Sequence, residues 1–253
     1  MAFRTKDRIP NVYEHWIAKD FFAYIRIAQG SDKRADFLSI MNKPKRYIGR
    51  DSLCEPHVAF DEWIRMYDEQ PWIAERIEQL WHDTRVLNTL SPYAAINFIR
   101  RGIGYDDYIA DYADYRNVNK DDLYDVADEI LSNAKGYRTL EEWYTHIENY
   151  KKELEELAKR GNSNEDAVVL ATLHSSKGLE FEKVFLIDVN EGITPYKKAV
   201  LQPDMEEERR LFYVGMTRAK RSLTLCSVKT LHNKKVELSR FLKEAGAESL
   251  PKE

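Results

Sequence analysis

The strongest chemical capacity of this 253-residue chain lies in two short stretches toward its carboxyl end. The first is HSSKGLEF, 174–181, directly after the apolar run VVLATL. Ser175 and Ser176 bring hydroxyls, Lys177 a cation and Gly178 a permissive backbone, a set that suits contact with a phosphate or nucleotide. Glu180 can accept hydrogen bonds from ribose hydroxyls. The same residues also describe a polar connection with a structural glycine, and composition alone leaves both open. The second stretch is EEERRLFYVGMTRAKR, 206–221, a helical pattern with apolar residues at 211, 212, 214 and 216. Arg218 and Lys220 fall at its end beside Thr217. An arginine there either forks onto a phosphate or is simply the cation that a helix carboxyl terminus favours. Gly215 costs such a helix about 1 kcal/mol unless close packing needs it.

The elements that must hold these residues change character along the chain. VVLATL, KVFLIDV (183–189) and SLTLCSV (222–228) are apolar, β-branched runs that read as buried strands. A helix between the last two makes the sheet parallel and this part α/β. The 174–181 loop then leaves the carboxyl end of a strand, where parallel sheets bind ligands. The first 160 residues read as helices almost throughout, at 16–28, from a Ser31 cap to about 41, and at 57–69 and 71–89. Ser91-Pro92 opens another that Gly102 closes, and further helices follow at 104–116, 119–134 and 138–160. The change falls at GNSNED, 161–166.

Charged residues make up 32% and hydrophobic ones 43%, as in an ordinary globular protein. No run reaches the roughly 18 apolar residues of a membrane span, and MAFRTKDRIP lacks the apolar segment of a secretory signal. Cys54 and Cys226 stand far apart with no metal-ligand spacing, so neither a disulfide scaffold nor a metal site is expected, and a cytoplasmic location fits. Residues 1–53 hold 11 basic and 6 acidic side chains, 54–166 hold 13 and 25, and 167–253 hold 15 and 12. An acidic middle between two basic ends suggests two modules, with polyanion binding on the ends.

TLHSSKGLEF (172–181), VFLIDVNEGITP (184–195) and EEERRLFYVGMTRAK (206–220), in this order and spacing, resemble motifs V and VI of UvrD/Rep/PcrA-type superfamily 1A helicases. KDFFAYIRIA and FLSIMNKPKRYIG resemble that family's passage from its second motor domain (2A) into a helical insertion (2B). The resemblance implies an α/β, RecA-like parallel-sheet domain, 2A, from residues 1–28 and 165–253, with 29–164 inserted as all-helical 2B. It implies a role for Arg218 as an arginine finger toward the γ-phosphate, and for Glu180 on the ribose, with Lys177 and Gly178 in the loop that carries it. Thr172 and His174 match positions linking single-stranded DNA to the nucleotide site, and Lys45 and Arg46 lie in a basic loop expected to meet duplex DNA. The implied partners are DNA, single-stranded or at a single/double-strand junction, and an amino-terminal motor domain. The implied activity is ATP-dependent 3′-to-5′ helicase action with Mg²⁺ in a longer protein, neither ATP nor Mg²⁺ being tightly held by this chain alone.

The departures are as clear. No GxxxxGK[ST] occurs, and the Asp-Glu pairs at 61–62, 68–69 and 128–129 lie in helical patterns rather than at strand ends. Half an ATP site is therefore expected, and no hydrolysis by this chain alone. Tyr47-Ile48-Gly49 stands where the family has a GIG-type turn. Tyr105, Tyr108, Tyr112 and Tyr115 form one helical stripe, and the aspartates around them favour packing over base stacking. A non-catalytic module that docks DNA or a basic protein surface is the alternative reading.

Overall fold

A computed structural model describes residues 3–7, 9–160, 167–231 and 234–246. GNSNED, 161–166, lies outside the described residues. The chain divides into two compact units, one formed by Pro10–Leu154 and the other by the described residues up to Ile9 and from Glu155 onward.

The first unit is helical and is built around α1 (Trp16–Ala28), in which nine of thirteen residues are buried. A helix apolar around most of its circumference must be enclosed, and α2 (Arg34–Ile40), α4 (Pro71–Leu87) and α7 (Lys120–Asn133) enclose it. That enclosure places residues 10–28, expected with the α/β part, among the helices. The unit also contains α3 (Phe60–Arg65), α5 (Pro92–Asn97), α6 (Tyr105–Arg116) and α8 (Leu140–Arg160). One apolar cluster runs through it, with Phe21, Phe37, Trp63, Tyr105 and Trp143 fully buried. Buried Asp20 is paired with a lysine. Both oxygens of Asp20 accept from Lys43 Nζ, at 2.8 and 2.7 Å, and one also accepts from the Tyr105 hydroxyl. Burial nevertheless pushes the Asp20 carboxyl above its ordinary value. Ser31 does not cap α2; Lys33 precedes that helix, and the Ser31 hydroxyl donates to Asp36 instead.

The second unit is mixed. β1 (Phe3–Thr5) pairs in parallel with β2 (Val168–Leu170), in register Phe3 to Val168. β3 (Phe181–Leu186) pairs in parallel with β4 (Ala219–Leu225), and α9 (Gln202–Met216) connects them. β5 (Thr230–Leu231) and β6 (Lys234–Lys235) form a short antiparallel pair before α10 (Arg240–Glu244). Val189, Phe212, Phe241 and Leu242 make a small core. Three strand pairs thus stand where one parallel sheet was expected among the described residues. α9 ends at Met216 rather than at 221, because Ala219–Leu225 is drawn into the ladder with β3. β1, three residues long, precedes the first expected helix at 16–28 and is not marked by the sequence pattern.

Candidate functional site

The loop after β2 is a hydrogen-bonded turn. Thr172 O accepts from the Ser176 N–H at 3.0 Å, and Ser176 O accepts from the Leu179 N–H at 3.0 Å. Gly178 sits at φ +81° with open space around it, so its requirement is torsional rather than steric. The Ser176 hydroxyl is turned inward onto Leu173 O at 2.7 Å. His174, Lys177 and Gly178 are exposed, as is Thr172.

Asp7, which sequence reasoning did not single out, anchors this loop. Its Oδ2 accepts from the Thr172 N–H at 2.7 Å and from the Ser175 hydroxyl at 2.6 Å. The bond from Ser175, then that from Thr172, holds the Asp7 carboxyl below its ordinary value. No sequence signal marks a lone acid so far from the loop it serves.

Arg218 occupies the two-residue step between α9 and β4. Its Nε donates to Val214 O at 2.8 Å, its Nη1 to Leu179 O at 3.0 Å and its Nη2 to Thr217 Oγ1 at 2.9 Å. Its own carbonyl accepts from the Phe181 N–H at 2.9 Å. The guanidinium is thereby tied to the residue before Glu180, joining the two stretches first picked out in the sequence. Of its five N–H donors, these bonds use three and leave one on each Nη. Glu180 is exposed, with Oε2 3.4 Å from Lys220 Nζ.

Gly215 explains itself here. A Cβ on it would lie 2.4 Å from Leu173 Cδ2 and 3.3 Å from Leu186 Cδ2. Its absence lets α9 settle onto both the loop and β3, which brings Arg218 to Leu179.

The donor set fits the outer edge of a nucleotide, an exposed carboxylate for sugar hydroxyls and a half-buried, anchored guanidinium for phosphate. It does not supply paired carboxylates for a divalent cation, since the charge beside Glu180 is a lysine.

The basic loop of the helical unit divides. Lys45 is exposed, with Nζ 4.5 Å from the Tyr47 ring centre. Arg46, expected beside it on DNA, is turned inward and only 7% exposed. Its guanidinium donates to Ile40 O, Met41 O, Pro44 O and the Tyr24 hydroxyl, so it organises the loop from within. Tyr47 holds φ +60°, a glycine-like conformation at the position where the GIG-type turn has its first glycine. In the tyrosine stripe, Tyr105 is buried, and Tyr108 and Tyr112 pack on Trp16 at 6.2 and 4.8 Å. Tyr115 is exposed.

With this geometry in hand, the class is plain: a helicase carboxy-terminal module. The chain belongs to the UvrD-like helicase C-terminal domain family, whose model matches residues 11–230. It is 30% identical to the ATP-dependent DNA helicase Rep of Escherichia coli (strain K12), over 92% of this chain and 38% of that protein. It is 32% identical to Rep of Salmonella typhimurium, with the same coverage. Against the ATP-dependent DNA helicase PcrA of Bacillus subtilis it is 29% identical, over 86% of this chain and 32% of the relative. The chain therefore spans 32–38% of the length of these curated relatives.

Proposed function

We propose that this chain is the second-motor and helical-insertion part of an ATP-dependent 3′-to-5′ DNA helicase or translocase. The α/β unit corresponds to a RecA-like 2A domain and the helical unit to 2B. The observation that supports this reading best is the bond from Arg218 Nη1 to Leu179 O. It ties a guanidinium with two unspent N–H groups to the residue before Glu180.

In this reading ATP is a substrate shared between two motor domains. Glu180 accepts from the ribose hydroxyls, and Arg218 offers its remaining donors to the γ-phosphate as negative charge builds on the transferring group. Lys177 and Gly178 shape the loop that carries Glu180. The first motor domain supplies the phosphate loop and the carboxylates for Mg²⁺. Thr172 and His174 face the single strand from the same loop, so DNA and nucleotide act on one hydrogen-bonded segment. Lys45 offers its charge to a duplex from the helical unit.

The purified chain tests this. A labelled oligonucleotide should bind weakly and lose affinity steeply as salt rises from about 50 to 200 mM, because phosphate contacts dominate such binding. No phosphate should be released from ATP. Tight binding indifferent to salt, or steady ATP hydrolysis by the chain alone, contradicts the reading.

A further inference from the structure

We infer that Asp7 is a positioning residue that pre-orders the 172–176 turn for a nucleic-acid backbone, an assignment that rests on the proposed role of this loop in DNA contact. The topology leads to it directly. β1 pairs with β2 as far as Thr5 and Leu170, and the Lys6 N–H continues the ladder onto Leu170 O at 2.8 Å. Asp7 is thereby carried alongside Thr172, two residues beyond each strand.

One carboxylate oxygen then takes both the Thr172 N–H and the Ser175 hydroxyl. The turn closes on itself around that oxygen. Thr172 Oγ1 lies 3.0 Å from Ser175 Oγ and accepts from the Ser175 N–H at 3.2 Å. Bonds to an ionised acceptor are stronger than neutral ones, and order established before binding is not charged against affinity when a ligand arrives. Two effects of Asp7 therefore oppose each other on a polyanion. Its charge repels phosphate, while its acceptor oxygen holds the loop in shape.

Asp7→Asn removes the charge and keeps an acceptor oxygen, whereas Asp7→Ala removes both. The comparison of these two variants isolates positioning from electrostatics. Ser175→Ala removes the other end of the bond without touching β1 or any charge. Affinity for a labelled oligothymidylate is read by anisotropy, and amide hydrogen exchange is followed over 170–178.

Asp7→Asn should bind as well as the unaltered chain or better, with exchange across the turn slower than in Asp7→Ala. Asp7→Ala should bind about 3- to 10-fold more weakly than Asp7→Asn, the scale of a lost hydrogen bond between neutral groups. Ser175→Ala should weaken binding relative to the unaltered chain, and both alanine variants should exchange faster across the turn. Equal affinity and equal exchange for Asp7→Asn and Asp7→Ala overturn the inference. Should Asp7→Ala fail to fold by circular dichroism, Ser175→Ala decides it, and unaltered affinity and exchange there overturn it. If the unaltered chain binds no oligonucleotide, the DNA reading itself fails, and the exchange arm still decides whether Asp7 orders the turn.

Discussion

The helical unit and the α/β unit keep their shape by different means. The helices enclose a continuous aromatic-rich core in which Trp63, Trp143, Tyr105 and Phe21 are fully buried. The α/β unit buries few apolar side chains, while Phe185 and Ile187, at the end of β3, are 64% and 68% exposed. Parallel strands are ordinarily covered on both faces, so this unit draws less on burial. Its order around the candidate site comes from single contacts: Arg218 on Leu179, Asp7 on Thr172 and Ser175, and a glycine that lets α9 approach Leu173. Volume changes should therefore dominate in one unit and individual bonds in the other.

The largest effect should follow Phe21→Ala, which empties a fully buried site in α1 and should cost about 3–5 kcal/mol. All five tryptophans lie within the helical unit, so tryptophan fluorescence during urea unfolding reads this cost. A loss below about 1 kcal/mol would mean that the aromatic core is not what stabilises the helices. Gly215→Ala comes next, at about 1–3 kcal/mol, because Leu173 must give way to the new methyl group. Faster amide exchange across β3 and α9 is the expected signature, and unchanged exchange would show that the close approach is dispensable.

Acid should act in opposite senses on the two units. The Asp20 carboxyl is raised from 3.8, so its contribution is full below that value and is lost as pH rises through the raised one. The Asp7 carboxyl is lowered from 3.8, so its contribution is present above that value and is lost as pH falls through the lowered one. Thermal unfolding across acid pH should therefore show stability relative to Asp20→Asn falling as pH rises. Relative to Asp7→Ala, it should climb. Parallel slopes would remove the distinction. The smallest change expected is Lys220→Ala, which breaks an exposed pair with Glu180 and should shift stability by less than about 1 kcal/mol.

Much of this architecture is legible in the sequence where periodicity is strong. The apolar face of WIAKDFFAYIRIA marks α1 from end to end, and the β-branched runs at 183–189 and 222–228 mark β3 and β4 to within a few residues. The costly glycine at 215 signals close packing before the contact with Leu173 is seen. What periodicity cannot carry is pairing across long separations. β1 is too short to show alternation, and Asp7 is an isolated acid until β1 lies beside β2. Arg46 reads as one more cation of a basic loop, and its burial depends on the carbonyls that the loop itself turns inward. α9 reads five residues too long because RAKR suits a helix end as well as a strand start. The family resemblance supplies Arg218 and Glu180 together; their joining through Leu179 is a tertiary fact.

Arg218 is where the account is most exposed. In a helicase that joins this chain to a phosphate-loop motor domain, DNA-stimulated phosphate release should be measured for the unaltered protein, Arg218→Ala and Arg218→Lys. Removing an arginine finger should lower kcat by roughly 10³–10⁵, with oligonucleotide affinity retained. Lysine should recover little of it, because a point ammonium cannot reproduce the planar fork. Turnover that is indifferent to Arg218→Ala, with DNA binding intact, would contradict the assignment of this chain as the trans half of the ATP site.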